Sequence, residues 1–552
     1  MKKPISKLVL LIITFFFARN VYAQEIFDAI RSGDLAKVKE LVEKDPKLVK
    51  ARNASQSTPL HVAVDANNEQ IARYLIEKES DLNSVNIFDY TPLFYAKKVE
   101  ISKLLVQSGA DINYGTSYRT ALGRSLAQRS REVAEYLLEK GAVLPEIGTD
   151  KSIELLRNSL KCGSLKFLDK YMKQGFDPLY ESEGKSNLLH YASESNSIEL
   201  IDKLISFGVS VKKANIFGLT PLHIAAMTGN LEVSKCLVRN GTEINSRTND
   251  GKTPYNMALE SPKKETANYL ATLGADTRPS QFPALAGEYF GEPKPGKKAI
   301  PFTRGMDWNQ YSMHGSIVVA PDGNEMLWSV QYNMVYSSKR INGQWTKPEK
   351  IMDADVPFIS PDGEKLYINI AKQIEGEGKE FICVREKTDR GWSEPKELPE
   401  IVNAVHDIHW GISVDRKGNL YFGAEYGVRN RAMYAKIYCS EYIDGKYGKP
   451  QIVQGLENIP AYSPYISPDG GYLIITKAET PTSLILFRKK DRSWTEPIEF
   501  PDYIGSKGVC CTVTHDGRYL FFIGTVDGKG CPYWVDASFI KDLRKKALKD
   551  DK

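Results

Sequence analysis

A phrase of the form Thr-Pro-Leu-His returns along the first half of this chain at a fixed interval, and that interval restricts the fold more than any other feature. Its clear copies are Thr58-Pro-Leu-His, Thr91-Pro-Leu-Phe, Asn187-Leu-Leu-His, Thr220-Pro-Leu-His and Thr253-Pro-Tyr-Asn. The spacing is 33 residues from Thr58 to Thr91, from Asn187 to Thr220 and from Thr220 to Thr253. Thr120-Ala-Leu is a shortened unit, and Glu154-Leu-Leu, 33 residues before Asn187, marks a degenerate one. In the sharpest copy Thr220 suits a helix N-cap, Pro221 the first helical position, and Leu222 and Ala225 an inward face. Gly229 and Gly241 end the two helices of that unit. A helix pair this short cannot bury its own apolar face, so the units must stack into one continuous solenoid core. With opening helices from Ile26, the period predicts about eight units.

Beyond about residue 299 the pattern changes to alternating strands rich in Tyr, Phe, Ile and Val, separated by short turns. The stretch Pro357-Phe-Ile-Ser-Pro-Asp-Gly-Glu-Lys-Leu-Tyr367 reads as an apolar strand, a four-residue turn and a second apolar strand. Pro361 presets φ in that turn, and the Asp362 side chain can bond the turn backbone. Variants recur at Val318–Leu327, Val414–Tyr421, Ile466–Leu473 and Val513–Leu520. A hairpin repeated at intervals of roughly 40 to 55 residues predicts a β-propeller with one hairpin per blade. The first four units also carry Trp-x-x-Pro or its equivalent: Trp345–Pro348, Trp392–Pro395, Tyr447–Pro450 and Trp494–Pro497. These are expected as outer edge strands, where the missing proline N–H removes no ladder bond. The last unit stops after Tyr533-Trp-Val-Asp536, while an unpartnered segment, Lys298–Phe302, precedes the first. That segment is expected to complete the last blade and close the ring.

The front half resembles the ankyrin repeat over nearly all of residues 25–277, through Thr-Pro-Leu-His, the 33-residue period and Gly109-Ala-Asp-Ile-Asn113. The resemblance implies that His61, His190 and His223 tie neighbouring turns together by hydrogen bonds. It also implies a protein-binding surface on hairpin tips and inner helices. The back half, about 285–545, resembles the WD-like propeller repeats of the periplasmic TolB type and an exported family of Ser-Pro-Asp-Gly repeats. The residues that carry this are Ala320–Gly323, Ser360–Gly363, Ser467–Gly470, Thr514–Gly517 and Tyr533–Ala537. The third unit departs from the pattern at Asp415-Arg-Lys-Gly418. The expected fold class is thus a multidomain α + β chain. An all-α ankyrin solenoid leads into an all-β propeller of five blades, with six as the alternative count.

The N-terminus carries a processing signal. Met1-Lys-Lys, the apolar run Leu8–Phe17 and the small residues of Val21-Tyr-Ala23 form a secretory signal peptide with Gln24 as first mature residue. The run is too short to span a bilayer. A periplasmic or secreted location follows, without membrane insertion. The domain reading is 1–23 signal peptide, 24–278 ankyrin repeats, 279–298 a Pro/Gly/Lys-rich linker, 299–545 propeller and 546–552 a basic tail. A net charge of +5 over 552 residues is too weak to argue for nucleic acid. Seven cysteines cannot all pair, and only Cys510, Cys511 and Cys531 are expected in one blade, where one bridge is possible.

No hydrolase elbow, zinc-peptidase motif, phosphate loop or dinucleotide fingerprint is present. The chain is expected to be a non-enzymatic interaction scaffold without a cofactor. Its ankyrin surface would bind a protein, and its propeller mouth a second protein, a peptide or a glycan. Aromatic and Arg anchors on the hairpin tips are Phe88, Tyr90, Tyr118, Arg119 and Phe217. Counting back six and seven residues from each turn proline gives the start of the innermost strands. That places His314, Asp355, His409, Trp410 and Tyr462 at the channel mouth, with His406 and Asp407 just before. Uronate lyases on related propellers use His-rich metal sites in the channel, so a metal-dependent enzyme acting on an anionic sugar is the alternative reading.

Overall fold

The computed structural model describes residues 24–549 apart from 116–118, 306–312, 314, 316, 332, 375–376, 390, 406–407, 426–434, 506–507 and 528. The segment read as a signal peptide, 1–23, therefore lies outside the described residues. The chain forms two compact units, one carrying the helical repeats and the other the strands.

Eight helix pairs are found among the described residues of the first unit, from 24–32 with Leu35–Lys44 to Pro254–Glu260 with Glu265–Thr272. Their apolar faces merge into a single core that runs from Ile26 to Ala275. The phrase at each helix start explains itself chemically. Thr58, Asn187 and Thr220 accept from the backbone of the residue three on, while His61, His190 and His223 reach back to the cap N–H. The far ring nitrogen then bridges to the next unit: His61 Nε2 lies 2.9 Å from Tyr90 O, and His190 Nε2 lies 3.0 Å from Leu219 O. In the third unit Phe94 replaces the histidine, the side-chain cap is lost, and Pro92–Tyr95 forms only a 3₁₀ turn.

This bonding fixes the charge state of His61. Its Nδ1 accepts from Thr58 N–H at 3.1 Å, so Nε2 carries the proton donated to Tyr90 O. Burial holds its pKa below the ordinary histidine range. The unfolded chain binds the proton more readily, so this stabilisation is complete above pH ~6.5 and is lost as pH falls through the folded-state pKa. His61→Ala is expected to cost about 1–2 kcal/mol at neutral pH and to flatten the acid limb of a plot of urea midpoint against pH.

Among the described residues of the second unit, five antiparallel sheets are arranged as a propeller and a sixth is a two-stranded hairpin. The innermost strands of the five are Val318–Val319, Asp355–Ile359, Ile408–Val414, Ala461–Ile466 and Val509–Val513, here blades 1 to 5. Each innermost strand pairs with the strand after its turn and a third strand follows, with an outer strand after that in blades 1 to 4. Three of the turns share one bonding scheme, and blade 1, with Ala320 in place of the hydroxyl residue, does not. In blade 2, Ser360 Oγ donates to Asp362 Oδ1 at 2.5 Å and accepts from Lys365 N at 2.9 Å. Blade 4 repeats it with Ser467 and Asp469, and blade 5 with Thr514 and Asp516. Burial alone would raise these three aspartates, but the hydroxyl and backbone N–H bonds outweigh it and hold them below the usual carboxylate range. Blade 3 lacks the phrase, and Asp415 takes over by accepting from Lys417 N and Asn419 N.

Ring closure follows the sequence expectation. Ile300 pairs with Trp534 and Pro301 with Tyr533, so a strand from before blade 1 becomes the outer strand of blade 5. Three other expectations change. Trp345, Trp392 and Tyr447 pair back on the end of the third strand in a small hairpin, and the outer strand begins only after the proline. The proline separates the two because it cannot donate into a ladder. The stretch read as a linker contributes core: Tyr289 and Phe290 are buried with Phe302, Trp345 and Trp534. The basic end opens with a helix, Phe539–Ala547, that buries Phe539 and Ile540 and turns its Lys and Arg outward.

Candidate functional site

The start of each innermost strand is irregular in a regular way. In blade 2 Asp355 pairs with Asn369, and pairing resumes only at Phe358 with Tyr367, leaving one extra residue. The same slip occurs between Trp410 and Ile412, between Tyr462 and Tyr465, and between Val509 and Thr512. These are β-bulges, and each is marked by a left-handed residue: Val356 (φ 43°), Gly411 (φ 77°), Ser463 (φ 49°) and Cys510 (φ 55°). Left-handed φ is a true outlier for β-branched Val356. Neighbouring bulges touch. A Cβ on Gly411 would lie 2.6 Å from Ser463 Cα, and Ser463 Oγ is 3.3 Å from Cys510 Sγ. The bulges of blades 3, 4 and 5 thus form a continuous arc at one end of the channel.

The predicted mouth residues are placed around this arc with different roles. Asp355 is half-buried, its Oδ1 accepting from Val356 N at 2.8 Å. His409 is not a rim residue: it is 3% exposed and tilts against Phe422 with ring centroids 5.7 Å apart. Its backbone is clamped, N–H to Glu380 Oε2 at 3.1 Å and C=O from Asn369 Nδ2 at 2.8 Å. Counting back across a bulge shifts the side-chain alternation by one, and for that reason the spacing rule does not deliver His409 to the surface. Trp410 and Tyr462 do come together, half-buried, with ring centroids 6.0 Å apart. They close over Gly423, where a Cβ would meet Trp410 O at 2.6 Å and Tyr462 Cα at 3.2 Å. His314, His406 and Asp407 lie outside the described residues.

Spacing alone does not reveal Glu380, Asn369, Ser463, Cys510 or the buried Glu425 at the end of the second strand of blade 3. The available signal was backbone chemistry: Val356-Pro357 and Ser463-Pro464 share a proline after the bulge, and blade 3 substitutes a glycine. All seven cysteines are free, including Cys510, Cys511 and Cys531. Burial pushes the Cys510 thiol up to about 11 and the Cys511 thiol up to about 12. Both are therefore protonated and weakly nucleophilic at neutral pH. No group of three His, Cys, Asp or Glu side chains suited to a metal occurs among the described residues. At the other end of the channel His515 Nε2 lies 2.6 Å from Pro361 O, linking blade 5 to blade 2. The cavity beside it, about 20 Å³, has room for a single water.

On the first unit, Phe88 is 48% exposed at a hairpin tip beside Ile87 at 47%. Tyr90 stacks on Phe94 with centroids 3.8 Å apart, and Arg124 lies over the Phe94 ring. Arg119 is exposed and Tyr118 lies outside the described residues, while Phe217 is half-buried in a short stretch, Ile216–Gly218, that groups with the second unit.

The ankyrin-repeat family model matches residues 26–116 and 189–280. The stretch between contains the units that lack Thr-Pro-Leu-His, yet they fold as helix pairs. The chain is 33% identical over 92 residues to ankyrin repeat and SAM domain-containing protein 6 of Rattus norvegicus, covering 16% of this chain and 10% of that protein. It is 25% identical over 186 residues to the ankyrin repeat and KH domain-containing protein mask-1 of Caenorhabditis elegans, 32% of this chain and 7% of that one. Over 208 residues it is 26% identical to the probable 26S proteasome regulatory subunit p28 of Saccharomyces cerevisiae, 32% of this chain and 88% of that one. The chain thus spans a tenth or less of the length of the first two relatives. The helical unit is a stack of ankyrin repeats, joined in one chain to a five-bladed propeller.

Proposed function

We propose that this chain is an exported, non-catalytic binding scaffold of the TolB-like propeller type. In this reading the ankyrin tips hold a protein partner, and the propeller mouth around Trp410 and Tyr462 holds a second protein, a peptide or a glycan. The observation that carries it is the Ile87–Phe88 tip. Two large apolar side chains stand nearly half exposed side by side, on a tip backed by the rigid Tyr90–Phe94 stack. A rigid aromatic anchor of this kind loses little entropy on binding and is the usual centre of an interface. Ankyrin stacks and propellers are both architectures that present surfaces, which supports a scaffold over an enzyme. The N-terminal signal pattern supports export.

Pull-down from envelope extracts with the mature chain tests this. Phe88→Ala is expected to weaken retention of the captured partner by at least about tenfold, the scale of 1.4 kcal/mol at a hot spot. Its melting temperature should not change, because the ring is exposed. Undiminished capture by Phe88→Ala and by Ile87→Ala would remove the ankyrin tip from the binding surface.

A further inference from the structure

The propeller carries a cavity away from its axis. It measures about 180 Å³ and is lined by Thr482, Ser483, Glu499, Phe500, Pro501 and Asp502, with Gly505 and Gly508 at its edge. Thr482 begins the third strand of blade 4, paired with Lys477 at the end remote from the Ser467–Gly470 turn. Gly508 immediately precedes the innermost strand of blade 5. The cavity therefore opens at the bulged end of the propeller, between the outer part of blade 4 and the start of blade 5. It has room for about six waters at ~30 Å³ each, the space of one sugar ring rather than of a nucleotide or a peptide.

We propose that this cavity binds a single neutral pyranose residue, a site distinct from the channel mouth. Three features of its wall point to that ligand. Glu499 and Asp502 are exposed carboxylates with no hydrogen bond or ion pair among the described residues, and carboxylates accept from ligand hydroxyls. Thr482 Oγ1 is buried without a hydrogen-bond partner among the described residues, and a hydroxyl in that position is costly until something reaches it. Phe500 and Pro501 supply the apolar face on which the C–H side of a sugar ring rests. Among the described residues that line the cavity none is Arg or Lys, the side chains that would hold a phosphate or a uronate carboxylate. Two carboxylates would repel such an anion. The preference is thus opposite to that of an enzyme for anionic sugars.

Saturation-transfer NMR on the mature chain tests the assignment, with glucose, galactose, mannose and N-acetylglucosamine as probes and glucuronate as the charged comparison. At least one neutral sugar should show transfer and glucuronate much less. The transfer should fall at least fivefold in Asp502→Ala, in Glu499→Ala and in Thr482→Val, the last keeping shape but removing the hydroxyl. It should persist in Trp410→Ala, which alters the channel mouth instead. The first two substitutions are at exposed positions, so an unchanged melting curve is expected. No transfer from any neutral sugar overturns the proposal, as does transfer that survives all three cavity variants. Transfer abolished only by Trp410→Ala also overturns it, and moves sugar binding to the mouth. Calcium that raises the melting temperature, with the rise lost in Glu499→Ala and no sugar response, overturns it in favour of a cation site.

Discussion

Trp534→Ala is expected to destabilise the propeller by about 3–5 kcal/mol, the range for deleting a large aromatic side chain from a core. Trp534 is fully buried and contacts Tyr289, Phe302, Tyr519 and Phe521, with ring centroids between 4.9 and 5.6 Å. Those rings come from three places, Tyr289, Phe302 at the closing segment and the second strand of blade 5 that carries both Tyr519 and Phe521, so no single neighbour can move to fill the space. The residue also pairs with Ile300, and its packing is what holds the closing strand on blade 5. Urea unfolding followed by near-ultraviolet circular dichroism gives the change. Trp534→Phe should recover about half of the loss, since most of the contact area remains. A change below ~1 kcal/mol for the alanine variant would mean that ring closure does not depend on this cluster.

Gly411→Ala should also be severe, at about 2–5 kcal/mol, for a reason that is geometric and not apolar. The position has φ 77°, which costs an alanine roughly 1–2 kcal/mol. The added methyl would also lie 2.6 Å from Ser463 Cα, a backbone atom of the next blade that cannot rotate away. Forcing those strands apart adds the strain of overpacking, about 1–3 kcal/mol. The same urea titration measures it. An unchanged midpoint would show that the bulge of blade 3 relaxes freely and is not held by its neighbour.

Much of this architecture was readable from residues alone, and the physical reason is repetition. The Thr-Pro-Leu-His phrase encodes a cap, a first-turn proline and an inter-unit hydrogen bond, so its period is the period of the structure. The closing strand was legible because Lys298–Phe302 had no partner before it and Tyr533–Asp536 had none after it. The bulges were hidden because Val356, Gly411, Ser463 and Cys510 have no side-chain chemistry in common. What they share is a backbone angle. The slip they introduce is also what misled the placement of His409, while Trp410 and Tyr462, nearer the surface, still met. Tyr289 and Phe290 were hidden by composition, two aromatic residues in a stretch of Pro, Gly and Lys. In Phe539–Ala547 the lysines outnumber the two residues that anchor the helix.

The pairing of Ile300 with Trp534 has a consequence for how the chain reaches its native state. The partners are 234 residues apart, at opposite ends of the propeller sequence. Blade 5 cannot acquire its fourth strand until nearly all of the polypeptide has been made. Closing a loop of that length costs only slowly more free energy than closing a shorter one, but it must occur before the contacts that reward it. Until then Lys529–Asp536 keeps an open ladder edge, able to recruit a strand from another chain. Blades 1 to 4 can therefore form early and wait, and the slowest and most aggregation-prone moment in folding falls at the joining of the two ends.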